Sequence, residues 1–153
     1  MLDLDLTAAD IMTRDVVTVP PHTSIRYVAK LLAGGRISGL PVMEESGRLV
    51  GMVSEGDLLT WDASPAERRT WWLDMLAEGF DIAPDYIEAV QAEREKVRNV
   101  MTRNIISVSE STPVKEIARL MTDKKVNRLP VLRDGKLVGI VARANLVRAL
   151  ARS

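Results

Sequence analysis

The sequence predicts an α+β fold in which two β-α-β-β-α units pack with pseudo-two-fold symmetry, with a helical insertion between them in the chain. The first observation behind this is an internal repeat. ADIMTRDVVTV from Ala9 returns as RNVMTRNIISV from Arg98, SGLPVM from Ser38 as NRLPVL from Asn127, and GRLVGMVSEGDLL from Gly47 as GKLVGIVARANLV from Gly135. Met12 and Pro41 stand 89 positions before Met101 and Pro130, and Gly51 stands 88 before Gly139, one residue being lost in the second turn. A chance match would drift in register. The second observation is that each repeat switches between β-branched runs and apolar residues spaced three or four apart, so strands and helices alternate within it. The third is size: neither unit of about 50 residues has much core of its own, so the two are expected to pack on each other through their sheets.

Each element follows from local chemistry. Val16-Val17-Thr18-Val19 is β-branched and stops at Pro20-Pro21, which suits a short opening strand. A helix then buries Ile25, Val28, Leu31 and Leu32. In the second unit Thr112 is expected to cap and Pro113 to take the first helical position, ahead of Val114, Ile117, Leu120 and Met121 on one face. Leu40–Met43 and Leu49–Val53 form a hairpin around Glu44-Glu45-Ser46-Gly47, where the glycine supplies the unusual backbone angle. A second helix closes each unit. The repeats span 8–61 and 97–151, and 62–96 is an insertion. There Ser64-Pro65-Ala66-Glu67 opens a helix with Trp71, Trp72, Met75, Leu76 and Phe80 on one stripe, and Pro84 opens a shorter one with Tyr86, Ile87 and Val90. The charged run Glu93-Arg94-Glu95-Lys96 reads as a solvated helix face.

Composition narrows the function. With 21 basic against 21 acidic residues, the chain lacks the broad positive field of a general nucleic-acid binder. Its lack of cysteine excludes disulfides, thiolate metal sites and a cysteine nucleophile. The first ten residues, MLDLDLTAAD, have neither a basic nor an apolar leader region, and no apolar run approaches a bilayer span, so a cytoplasmic protein without membrane contact is expected. His22, beside Pro21 in a polar turn, reads as a solvated histidine with no second metal ligand near it, and no metal site is expected. No nucleophile elbow, Walker loop, zinc-protease helix or Rossmann fingerprint is present, so the chain is not expected to be an enzyme. Trp61, Trp71 and Trp72 around Arg68-Arg69 suit packing over the pair or at a dimer contact, the alternatives being a ligand lid or a partner surface.

Two ordered copies of [DN]-[IV]-M-T-R, then [SN]-x-L-P-V, then G-[RK]-L-V-G-[MI]-V resemble a tandem pair of CBS domains, the cystathionine-β-synthase-type module, over most of the chain. The resemblance implies two clefts between the units that take adenosine-containing ligands such as AMP, ATP, NAD or S-adenosylmethionine. It further implies regulation without catalysis, no required cofactor, and a homodimer.

Within it, Ser54 and Asp57 match the ribose motif. A carboxylate accepts from both ribose hydroxyls, and the serine hydroxyl joins it; equally, residues three apart at a helix start form a capping pair, and the two roles are compatible. Each cleft draws on both units. The resemblance therefore gives Asp57 the partners Thr102, Ile105 and Ile106 and the run Asn127, Arg128, Leu129 and Pro130, with Arg128 either meeting phosphate or serving as a surface or interface arginine. The second cleft gathers Thr13, Val17, Ser38, Gly39, Leu40, Pro41 and Asn145. It replaces the aspartate with Asn145 and is expected to lack the arginine arm, leaving room beside Gly39 for a bulkier ligand. The function implied is a nucleotide-sensing module that signals to a separate chain, the alternative being a constitutive dimerisation or interaction scaffold with vestigial sites.

Overall fold

The computed structural model describes residues 5–61 and 94–152, so the helices expected from Pro65 and Pro84, with Trp71 and Trp72, lie outside the described residues. The first repeat contributes α1 (Ala8–Ile11), α2 (Ile25–Gly35), β1 (Gly39–Met43), β2 (Leu49–Ser54) and α3 (Glu55–Thr60). The second contributes a 3₁₀ turn (Val97–Asn99), β3 (Val108–Ser109), α4 (Val114–Asp123), β4 (Arg128–Arg133), β5 (Lys136–Ala142) and α5 (Arg143–Arg152).

The hairpins form where apolar runs flank a turn that tolerates positive φ. β1 pairs antiparallel with β2 and β4 with β5, each with a register shift after its central valine. Gly47 takes φ 87° in the first turn, as its residue type anticipated. The second is tighter: Asp134 (φ 50°) and Gly135 (φ 79°) form a two-residue primed turn, which matches the twist of the strands it joins. β3 adds to β4 in parallel. In the first repeat the expected opening strand shrinks to one parallel bridge, Val19 to Val42, with Val17 half exposed. Pro20 stands where the second repeat has Ser109, the residue that extends β3 to Leu132, and proline disfavours continued pairing.

Helix ends follow capping chemistry, with one correction. Ser24 Oγ accepts from Tyr27 N at 3.1 Å and starts α2. Thr112 does not cap α4: its Oγ1 accepts from Ser109 N at 3.0 Å, and Pro113 is itself the residue before the first helical position. The buried stripe is Ile25, Val28 and Leu32 on α2, and Val114, Ile117 and Met121 on α4, with Leu31 and Leu120 partly buried beside them.

The opening arms of the repeats are exchanged. Ala8 N donates to Thr112 O, Ala9 N to Glu110 O, and Val114 N to Leu6 O, so α1 is sewn to the second repeat. The mirror-image bonds run Val97 N to Thr23 O, Arg98 N to Pro21 O, and Ile25 N to Glu95 O. Further on, Thr13 exchanges both backbone bonds with Ile140, and Thr102 does so with Met52. The repeated arginine of each M-T-R motif folds back on its own arm, Arg14 on Ala9 O and Arg103 on Arg98 O, both at 3.0 Å. Consequently each core holds side chains of both repeats. Val97 and Met101 join Val28, Leu40, Val42 and Val53; Ala8 and Met12 join Ile117, Leu129, Val131 and Val141.

Candidate functional site

The strand-to-helix junctions after β2 and β5 each meet the other repeat's arm, and a cleft opens at each meeting. At the first, Ser54 ends β2 and caps α3. Ser54 N and Ser54 Oγ both donate to Asp57 Oδ2, at 2.9 and 3.1 Å, while Asp57 N donates back to Ser54 Oγ at 3.3 Å. The cap uses one carboxylate oxygen. Among the described residues the other, Oδ1, receives only the Thr102 hydroxyl at a long 3.4 Å, so it keeps acceptor capacity for a ligand. Capping and ligand binding are thus compatible on the same side chain.

This cleft, about 240 Å³, gathers Ser54, Asp57, Thr102, Ile105, Ile106, Asn127, Arg128 and Pro130 from both repeats. Leu129 is not among its walls. It is fully buried in the second core, because alternation along β4 turns Arg128 and Pro130 to the cleft and Leu129 and Val131 away from it. Met52, Asn104, Lys125 and Val126 line the cleft as well, and sequence reasoning missed them.

The second cleft has nearly the same volume, about 260 Å³, so the two differ in lining and not in size. Thr13, Val17, Ser38, Gly39 and Asn145 line it. Leu40 lies in the first core, the counterpart of Leu129, and Pro41 is fully buried and not among the lining residues. Asp15, Arg36, Ile140 and Arg148 are additional wall residues. Asn145 is buried and committed: its Oδ1 accepts from Ala142 N at 2.8 Å, and its Nδ2 donates to Ile11 O at 2.6 Å and Thr13 Oγ1 at 3.3 Å.

Two expectations about this cleft are overturned by Arg128. Its Nη2 donates to Ser38 Oγ at 2.6 Å, across the pseudo-axis, and it lines both clefts. The second cleft therefore does not lack an arginine arm. Nor is there spare room beside Gly39, where an added Cβ would stand 2.8 to 2.9 Å from Arg128 Cδ, Nε and Cζ. Burial pushes the Arg128 guanidinium below its usual range, against the opposing pull of Glu55 and Asp57, and arginine remains charged.

Comparison with known proteins fits this geometry. The CBS domain model matches residues 8–64 and 97–152, most of the chain. The chain is a tandem CBS domain pair. It is 36% identical over 151 residues to the CBS domain-containing protein CBSX1, chloroplastic, of Arabidopsis thaliana, covering 94% of this chain and 63% of that protein. The CBS pair thus spans under two thirds of that relative's length. Among solved structures it resembles CBSX2 in complex with AMP, with TM-score 0.72 and 31% identity over 96% of this chain and 97% of that one. It also resembles the CBS domain pair of protein MJ0100 in complex with 5′-methylthioadenosine and S-adenosyl-L-methionine, with TM-score 0.69 and 26% identity over 94% and 98% of the two chains. Among the described residues no helix is long and apolar enough to cross a membrane, and no three metal-ligating side chains cluster.

Proposed function

We propose that this CBS pair is a regulatory module that binds an adenine nucleotide of the AMP, ATP or NAD type in the Asp57 cleft and signals to a separate partner. The observation that carries the reading is the division of labour on Asp57: one oxygen holds the helix cap while the other faces a cleft walled by Ile105 and Ile106 of the opposite repeat. In this reading Oδ1 takes the ribose hydroxyls, the isoleucines flank the base, and Arg128 meets the phosphate from the second repeat. A ligand held by Asp57 and Arg128 together favours the arrangement in which the repeats are clamped, and it shifts the module only as far as it prefers that arrangement. The related CBSX2 complex with AMP supports a monophosphate as the first ligand to try. The module regulates and does not catalyse, and it acts as a homodimer; Leu59 and Val147, at matched positions on α3 and α5, are exposed and suit a self-association surface, which equilibrium sedimentation tests.

The deciding experiment is thermal unfolding against AMP, ATP, NAD and S-adenosylmethionine, with Asp57→Asn in parallel. Asn145 shows that an amide keeps the same cap, so Asp57→Asn is expected to fold normally while losing the ligand-induced rise. For the native chain the rise corresponds to about 2.7 kcal/mol at a hundredfold excess over Kd. If no nucleotide at millimolar concentration moves the transition, the constitutive dimerisation or interaction scaffold replaces the sensor.

A further inference from the structure

Asn145 occupies the position that Asp57 holds in the first repeat, yet its cleft is built for different chemistry. Both amide hydrogens and the carbonyl of Asn145 are engaged with Ile11, Thr13 and Ala142, so Asn145 does not offer the free carboxylate oxygen that Asp57 does. Instead, three arginines from three elements line the cleft: Arg36 at the end of α2, Arg128 at the start of β4, with its Nη2 on Ser38, and Arg148 on α5. One carboxylate, Asp15, is the acidic group in the lining. Among the described residues neither Arg36 nor Arg148 forms an ion pair, and Arg128 is held in place by Ser38 with further N–H groups to offer. Arg36 sits at φ 52°, a left-handed conformation that a glycine would adopt at less cost. Thr13 Oγ1 accepts from Asn145 and keeps its own proton to donate.

We propose that the Asn145 cleft is a binding site for a compact polyphosphate anion, recognised by Arg36, Arg128 and Arg148 without a ribose contact. Three arginines on a cleft whose lining, among the described residues, has the one carboxylate Asp15 suit a multiply charged phosphate, which an arginine grips through paired N–H groups. The same chemistry arrives as free inorganic polyphosphate or as the tail of a nucleotide. The inference does not require adenosine binding at Asp57, although both readings call on Arg128, which lines the two clefts.

Titration calorimetry with inorganic triphosphate on the full chain tests it. The native protein and Asp57→Asn are expected to bind triphosphate equally, and the double variant Arg36→Gly/Arg148→Ala at least about tenfold more weakly. AMP titration of the double variant reports whether the Asp57 cleft is intact. ATP binding that persists in Asp57→Asn and falls in the double variant assigns the site to nucleotide tails; triphosphate alone behaving so assigns it to the free anion. The proposal is overturned if triphosphate fails to bind, if sulfate at matched ionic strength displaces it equally from both proteins, if the double variant binds as tightly as the native chain, or if Asp57→Asn abolishes binding. Loss of AMP binding alone would remove the adenosine reading and leave this one standing.

Discussion

Two methionines and two glycines show how far a single methylene matters here. A Cβ on Gly51 would stand 2.5 Å from Met101 Sδ and 3.2 Å from Thr102 O; one on Gly139 would stand 2.5 Å from Met12 Sδ and 2.9 Å from Thr13 O. Neither glycine has positive φ, so each is required by close approach and not by backbone freedom. A thioether can swing aside, whereas a carbonyl paired to β5 cannot. Gly139→Ala is therefore expected to cost about 1–3 kcal/mol and more than Gly51→Ala, as read by denaturant midpoints. Glu110 makes a different case. The Arg133 fork holds its carboxyl below the usual range, so the pair contributes fully above the ordinary carboxylate value near 4.5 and is lost as pH falls through the lowered folded value. Accordingly, Glu110→Gln should lower Tm slightly at pH 7 and the gap should close toward pH 3; a gap independent of pH would refute the pairing. Such exposed pairs are weak, so the direction is the informative result.

Among the elements, α2 ends in a conformation its sequence would not choose. Arg36 and, 89 residues on, Lys125 both lie at φ above 50° where glycine is the common occupant, and each lines a cleft. Arg36→Gly should raise stability by about 1 kcal/mol in chemical denaturation, since the left-handed penalty for a side chain disappears; a loss of stability would mean the arginine holds the helix end in some other way. The hairpins and long helices were legible beforehand because period-two and period-three-to-four patterns are local properties of Val131, Gly135, Ile117 and their neighbours. α1 and the 3₁₀ turn at Val97 were not, since a single turn has no periodicity and draws its stability from another repeat's carbonyls. The same distinction divides the clefts. Ser54 and Asp57 form a three-residue motif visible in the chain. Arg36, Asp15 and Arg148 lie far apart in sequence and become neighbours only when the arms cross. Gly39 misled because its empty Cβ position is filled by a side chain 89 residues away.

For the whole molecule the exchanged arms mean that sequence repeat and packing unit do not coincide. Each core is completed by residues of the opposite repeat, so neither can be lost without uncovering the other's partners. Two cores joined in this way should melt together, and calorimetry should find a single transition with equal calorimetric and van't Hoff enthalpies. The sharper consequence concerns where damage appears. Met12 belongs by sequence to the first repeat, yet it packs with Val131 and Val141 in the second. Met101 has the converse placement beside Val42 and Val53. Truncating either to alanine removes a buried thioether and costs about 2–3 kcal/mol globally. Native-state hydrogen exchange resolves the local part: Met12→Ala should lower protection first at Gly139 and Val141 of β5, and Met101→Ala first at Gly51 and Val53 of β2. If Met12→Ala instead weakened β2, its own repeat's strand, the arms would be folding back on their own units in solution. Both clefts, which exist only where an arm meets the opposite repeat, would then be lost with the exchange.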